Sequence, residues 1–600
     1  MSNTIIVNPN QNIVEPQEFN TQITVTDNKN GNSVNLTEST TNIVRVNSIG
    51  PQGPKGEAFA TGSFATTGSN VFTGSQVITG SLSVGDYENA NATGRGAVAF
   101  GAGALASGAM SFAHGNNVTA SGLESHAEGI VTKATGDGGA HAEGGNTLAS
   151  GYRSHAEGYS TTASGFQAHS EGERTLASGT SAHAEGLYTT ASGDRSHAEG
   201  NYTIASGLQS HAEGSRNIAS GDTAHAEGRI TTASGDYSHT EGYLTIATGT
   251  NSHAEGDNTI SSGRGSHAEG ESTLASGQSS HTEGYNTTAS GEDSHAEGQN
   301  TVAFGTGSHT EGINTVASGS NSHAEGYETR ALGSYSHAEG YNTQAHGNQS
   351  HAEGNSTLAT GQTSHTEGKN TLASGNQSHA EGTATTSSGE DSHAEGYGSI
   401  ASGQSSHAEG HLTVGEGGAL FKQVASGIGA HAEGSATLAS GVYSHAEGHY
   451  TTASGDASHA EGHQTKTTGN YAHSEGMRTT ASYGAHAEGY GTYASGSWSH
   501  AEGENTIAEG SFQHVQGRFN ISNTSSLFII GDGTSTGSIS NVLDVRTGQV
   551  QVTGSLFVSA SEVNFANLPT SDPGVTGRLF QTASEAIGAT SGFQIVLVST

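Results

Sequence analysis

The motif His-[Ala/Thr/Ser]-Glu-Gly occurs 27 times between His126 and Gly503, nearly always fourteen residues after its previous copy. An unbroken run leads from His141 through His155, His169 and His183 to His407, and all but six of the 33 histidines lie in the motif. So short and regular a period means one structural unit stacked on copies of itself, since no single unit can bury a core alone. Composition by itself would mislead. With 31% hydrophobic residues, 91 glycines and a formal net charge of -37, the chain has the statistics of a disordered one. Disorder, however, has no reason to hold register through so many copies. The excess of acid argues against nucleic acid, which needs a basic face, and against docking on anionic lipid.

A full unit reads Ser-His-Ala-Glu-Gly-x-x-Thr-x-Ala-Ser-Gly-x-x, as from Ser196 to Gln209. Two short segments, each ending in Gly and separated by variable pairs, suit strands joined by tight turns. Helix is disfavoured, because each internal Gly costs about 1 kcal/mol. The unit predicts one coil of a parallel β-solenoid. Strand side chains alternate between faces, so Ser196, Ala198 and Gly200 share one face while His197 and Glu199 share the other. In the second segment Thr203, Ala205 and Gly207 lie opposite Ile204 and Ser206. Two strands back to back leave little interior room, so the small set points inward and His and Glu point out.

A solvated face should drift as the turns do, where Tyr159-Ser160, Glu173-Arg174, Leu187-Tyr188 and Ser215-Arg216 occupy equivalent places. His and Glu do not drift, which predicts an interface between identical chains about a symmetry axis. Its candidate ladder includes His155, Glu157, His197, Glu199, His253, Glu255, His309, Glu311, His365, Glu367, His407 and Glu409. Coils stacked about 4.8 Å apart place Glu above Glu, a repulsion of roughly 0.9 kcal/mol even at the dielectric of water. A neighbouring His ladder would offset it with protons and N–H donors. His and Glu of one strand are expected to be poorly placed to touch, so the pairing is expected between protomers. The chain has no Cys, no His-x-His and no Asp-rich calcium pattern, so no metal or other cofactor is expected. No catalytic residue is expected either, because nothing singles out one His/Glu pair from the rest.

Five segments are expected. Residues 1–49 alternate apolar and polar residues, as in a small β-rich attachment module, and residues 50–58 give three Gly-X-Y triplets, a collagen-like linker. Residues 59–92 carry Thr-Gly-Ser at a period of six, a second β shaft; residues 93–517 hold the array; residues 518–600 form a β-rich trimerisation or tip domain. About 30 coils would make a rod of roughly 140 Å. The first residues lack a signal peptide's basic start and apolar core, and no stretch reaches the ~20 apolar residues of a membrane helix. A soluble product made in the cytoplasm, without membrane insertion, is expected. One insertion, Gly415–Val424, interrupts a coil and displays Phe421 and Lys422, a candidate ligand loop. The longer step before His141 and the shorter one before His486 read as turn adjustments.

Ala97-Val98-Ala99-Phe100-Gly101 and Gly103-Ala104-Leu105-Ala106-Ser107-Gly108 resemble head repeats of trimeric autotransporter adhesins of the Yersinia-adhesin type. The resemblance implies a left-handed parallel β-roll of fourteen-residue units, with three rolls packed about an axis. It also implies that the positions of His197 and Glu199, commonly apolar in that family, face the trimer core. The His-Ala-Glu-Gly array resembles bacteriophage fibre and structural proteins as well. Phe512 to Ile521, Ile530-Gly531-Asp532-Gly533 and Leu568-Pro569-Thr570-Ser571-Asp572-Pro573-Gly574 are similar to segments of such proteins. The expected fold is therefore all-β: a homotrimeric left-handed β-solenoid with small β-rich terminal domains. The expected function is a phage tail fibre or appendage, a rigid spacer used in host attachment and located on the virion. Its expected partners are itself, baseplate or tail proteins, and a host receptor, glycan among the candidates. A cell-surface trimeric adhesin or extracellular filament subunit is the alternative, and a metal-binding surface protein the next.

Overall fold

The computed structural model describes residues 81–84, 90–414 and 418–553, with the backbone of four short strands beyond them. Of these four, Val25–Thr26 pairs in parallel with Val46–Asn47, and Leu579–Ala583 pairs antiparallel with Phe593–Leu597. The collagen-like linker, most of the expected attachment module and hexapeptide shaft, and much of the far C-terminal segment lie outside the described residues. Every helix or strand among the described residues is a strand. The chain forms two compact units, Met1–Ala275 and Ser276–Thr600, and the same coil builds both.

In the first unit, strand His197–Ala198 pairs in parallel and in register with His211–Ala212, and Ile204–Ala205 with Ile218–Ala219. In the second, His337–Tyr341 pairs likewise with His351–Asn355, and Gln344–Ala345 with Leu358–Ala359. Each coil donates along its whole length to the next. The amides of His197, Glu199, Asn201, Ile204 and Ser206 reach the carbonyls of Ser210, Ala212, Gly214, Asn217 and Ala219, each at 2.8 Å. The interior holds Ser196, Ala198, Thr203 and Ala205, all buried, as alternation requires. Ser196 Oγ donates to the Gly193 carbonyl at 2.7 Å and Thr203 Oγ1 to that of Glu199 at 3.0 Å, whereas the inward Thr161 and Thr189 Oγ1 are buried without a hydrogen-bond partner. A methyl core offers only about 0.8 kcal/mol per buried carbon. Cohesion between coils therefore leans on the backbone ladder, at about 1 kcal/mol net per bond.

Two glycines per coil set the spacing. A Cβ on Gly207 would lie 1.9 Å from the Gly221 carbonyl oxygen, and one on Gly200, at φ +101°, would lie 2.2 Å from that of Gly214. The turn pairs, free to vary in sequence, are constrained at their second residue. Tyr202 (φ 60°), Gln209 (φ 57°), Thr223 (φ 57°) and Ile230 (φ 60°) all occupy the left-handed region. Asn, which tolerates that region best after Gly, fills it at Asn251, Asn258, Asn286, Asn300, Asn314 and Asn321. The first residue of the turn before the His strand also recurs as Asp or Asn for a reason. Asp194 accepts from the Thr180 amide at 2.8 Å, Asp222 from Leu208 at 3.1 Å, and Asn348 from Ser334 at 3.0 Å.

Changes of period fall in turns and leave the register intact. His126 still faces His141, with the extra length taken by Gly138 and Gly139 at positive φ, and His473 still faces His486. The inserted segment is not the expected Gly415–Val424. Val424–Ala425 is a regular strand, paired with both Ile400–Ala401 and Leu438–Ala439. Gln423 is buried where other coils place Thr, and its Oε1 accepts from Ser399 Oγ at 3.3 Å. The addition therefore runs from Thr413 to Lys422, and within it Thr413–Val414 pairs antiparallel with Leu420–Phe421; residues 415–417 lie outside the described residues.

In the first unit Leu82–Val84 already joins the His-strand sheet, in parallel with Val98–Phe100. In the second, Ser526–Asp532 adds in parallel to His514–Arg518, then Asn541–Arg546 and Gln549–Val552 follow antiparallel. Covering a parallel edge with an antiparallel meander stops further stacking there.

The glycine contact predicts that Gly207→Ala costs roughly 2–4 kcal/mol, because backbone must move to clear the methyl. Gln209→Asn, at a left-handed turn position, should be neutral or slightly stabilising. Thermal unfolding followed by circular dichroism distinguishes them, and an equal response to both would count against a glycine-set spacing.

Candidate functional site

Because the coils are in register, each outward side chain stands over its copy. The imidazole rings of His141 and His155 stack at 4.7 Å and 3° between planes, those of His197 and His211 at 4.8 Å and 1°, and those of His351 and His365 at 4.8 Å and 0°. Their spacing is that of the strands themselves. Rings other than His extend these columns: in the first unit Phe112 lies 4.8 Å from His126, and in the second Phe528 lies 5.2 Å from His514. His309 and His365 stand in the column of the second unit, and in each unit Glu side chains form a further column beside the rings.

Contrary to expectation, His and Glu of one strand do approach each other. Nε2 to Oε2 is 3.7 Å for His155 and Glu157, 3.8 Å for His197 and Glu199, 3.5 Å for His253 and Glu255, and 3.7 Å for His407 and Glu409. Side chains on a strand lean along it, which closes the gap between positions two apart. Some histidines also face the carboxylate of the preceding coil, as His183 does Glu171 at 3.6 Å and His239 does Glu227 at 3.3 Å. A neighbouring chain is therefore not needed to bring His to Glu.

Nor does the His column supply the positive charge expected of it. Burial, then the neighbouring imidazoles, lowers alternate members such as His169, His197 and His225 below 6.5, with His141 and His379 brought down to about 4. These lowered members are neutral at pH 7. The acidic column relieves itself instead by sharing protons. Hydrogen bonds donated to Glu157 and Glu185 hold the proton on Glu171 and raise it to about 8, and Glu143, Glu199, Glu297 and Glu409 rise to about 7 for the same chief reason. The residues between them, Glu157, Glu185, Glu213, Glu311 and Glu395, are lowered as acceptors of those bonds. Protonated and ionised carboxyls thus alternate along these stretches, because two adjacent charges at this spacing repel.

Glu143, Glu157, Glu171 and Glu185 line a shallow groove floored by Gly158, Gly172 and Gly186. Potential metal ligands converge along the columns: in the groups His155, Glu157, His169 and His183, Glu185, His197 the ligand atoms lie within 4.8 Å of one another. Of the candidate loop, Phe421 is exposed and meets Tyr450 edge-on at 5.3 Å, and Lys422 is exposed. A second surface feature escaped the sequence reading. Tyr471, Tyr483 and Trp498 gather on the turns before the His strand, with Tyr483 edge-on to Trp498 at 5.8 Å. The shortened period before His486 makes it: Gly484, at φ +61°, lies under the indole, 2.6 Å from where its Cβ would stand. That coincidence of a lost residue with clustered aromatics was the available signal.

The chain matches the YadA head domain repeat (2 copies) at residues 88–104, 92–117, 142–168, 170–196, 184–210, 241–266, 268–294, 283–308, 296–322, 311–336, 380–406, 394–411 and 487–512. The matched coils are thus similar in sequence to adhesin-head repeats and form a β-solenoid of fourteen-residue coils, as the early variant coils suggested. No curated protein matches the chain.

Two predictions follow the geometry. A histidine held below its ordinary 6.5 gains protons on unfolding, so its contribution to stability is lost as pH falls from about 6.5 towards 4. A glutamic acid held up to about 8 loses its proton on unfolding, so its contribution is lost as pH rises from about 4.5 to 8. The unfolding temperature should peak at about pH 5–6, where the two windows overlap, and fall on both sides; a steady rise to about pH 9 would contradict the shared protons. Gly484→Ala should displace Trp498, the single tryptophan of the chain, and shift its fluorescence emission to the red. An unchanged spectrum would show that the indole does not rest on that glycine.

Proposed function

We propose that this chain is a non-enzymatic structural subunit of a homotrimeric attachment fibre, in which the His/Glu face of each coil meets the same face of two other copies. The observation that carries the reading is the contrast between faces: His and Glu recur unchanged on one sheet while the turns beside them vary. The head-repeat match supports the same assembly, since repeats of this kind are named for a trimeric adhesin family. As His–Glu pairs already form within a chain, contact between chains is between finished ladders, with side-chain pairs set before assembly. The coils serve as spacer, and the breaks in uniformity, Phe421 with Lys422 and the Tyr471, Tyr483 and Trp498 cluster, are the places for receptor contact.

Carriage on a phage particle is the finer proposal, supported by the likeness of Phe512 to Ile521 and of Leu568 to Gly574 to phage structural segments. In that case the partners are baseplate or tail proteins at one end and a host receptor at the other. The head-repeat match favours a cell-surface adhesin as the second reading. Immunogold labelling of intact virions with an antibody to the array decides between them, and absence of label on any virion discards the phage assignment.

Sedimentation equilibrium should return three chains per particle. Changing Glu157, Glu171, Glu185, Glu199, Glu213 and Glu227 to Gln, which keeps size and hydrogen-bonding capacity, should lower the temperature at which the trimer dissociates while the β-sheet dichroism persists. A trimer of undiminished stability would remove the ladder from the interface.

A further inference from the structure

His183 has an environment that hydrogen bonding does not explain. Its Nε2 is shut off from water and has no hydrogen-bond partner. It faces two carboxylates, Glu171 Oε1 and Glu185 Oε2, each at 3.6 Å. A protonated Nε2 would close to hydrogen-bond distance on one of them, about 2.7–2.9 Å for a charged acceptor. An unprotonated one could accept from a protonated Glu171, but that bond too would close to well under 3.6 Å. Neither state suits a separation of 3.6 Å, but a small cation between the three atoms does. Ligand bonds of about 2.0–2.1 Å in a tetrahedral site hold their atoms roughly 3.3–3.4 Å apart. The same bite recurs at His126 and Glu128 (3.5 Å), His253 and Glu255 (3.5 Å) and His323 and Glu325 (3.4 Å).

We propose that the His/Glu column binds divalent transition-metal ions of the zinc class, with one site formed by Glu171, His183 and Glu185 beside the groove that Glu143, Glu157, Glu171 and Glu185 line. One imidazole and two carboxylates are ligands of matched hardness for such an ion, which on binding displaces to solvent the proton that Glu171 otherwise holds. Open solvent above the groove supplies water as the remaining ligand. The groove offers nothing but carboxylates and glycine backbone to an incoming cation. Imidazoles of successive coils are too far apart to share one ion, since rings 4.7 Å apart exceed twice the bond length, about 4.2 Å. Each ion therefore takes one His, and mutual repulsion limits occupancy to every second coil at most. The proposal concerns ligands of a single chain and does not require that the face meet other copies.

The test uses the full chain, purified without a metal-affinity tag, stripped with chelator and dialysed against micromolar zinc. Anomalous scattering at the zinc edge should show a peak about 2.1 Å from His183 Nε2 and bonded to Glu171 and Glu185. His183→Phe keeps the ring column, as Phe112 and Phe528 do naturally, and should abolish that peak while other zinc peaks remain. The Glu171→Gln/Glu185→Gln double variant should do the same. No zinc retained after dialysis, zinc found only at turns, or a peak that survives His183→Phe would each overturn the proposal. Sedimentation of the same samples reports the trimer separately, so loss of metal with an intact trimer, or the reverse, is told apart.

Discussion

The approach of one glycine to the carbonyl of the next is the contact on which the rest of the coil depends. At Gly207 and Gly200 the neighbouring carbonyl occupies the space of a Cβ, so the backbone path admits no other residue there. That path fixes the separation between coils, and the separation fixes everything on the outer face. Imidazoles meet at 4.7 Å as flat stacks because the strands beneath them do, and carboxyls are brought close enough to exchange hydrogen bonds. The interior contributes little specificity of its own, being lined by Ala, Ser and Thr.

Such a column of acids would be untenable if every member were ionised. Where raised and lowered glutamates alternate, a hydrogen bond between neighbouring carboxyls takes the place of repulsion between two charges. The histidines beside it are packing elements first, flat stacked rings whose Nε2 atoms are kept away from water. Exposed ion pairs of this kind contribute little by themselves.

Strand alternation in Ser196-His197-Ala198-Glu199-Gly200 was enough to assign inside and outside, since the period of two is a property of the backbone. Contact between His197 and Glu199 was not legible, because it depends on how two flexible side chains lean once their neighbours in adjacent coils confine them. The sharing of protons along the Glu column is likewise a collective result that no single motif carries. Turn residues deceived for another reason. Drift from Tyr202 to Gln209 to Thr223 looks like freedom, yet all three accept the same left-handed geometry, and only the abundance of Asn hints at it. At the insertion, Gln423 replaces the inward Thr, and without that Thr the sequence carries no mark of where the regular strand resumes.

The turn changes at Gly138–Gly139, at Gly484 and at Thr413 to Lys422 leave His facing His on either side. Length errors are absorbed where they occur and do not propagate. For an evolving gene this makes the coil a unit of exchange: unequal recombination between repeats could add or remove whole coils without creating a new packing problem. It could also graft a foreign loop onto one turn with the neighbouring coils unaware of it. Reach and surface chemistry can thus be selected independently in one chain.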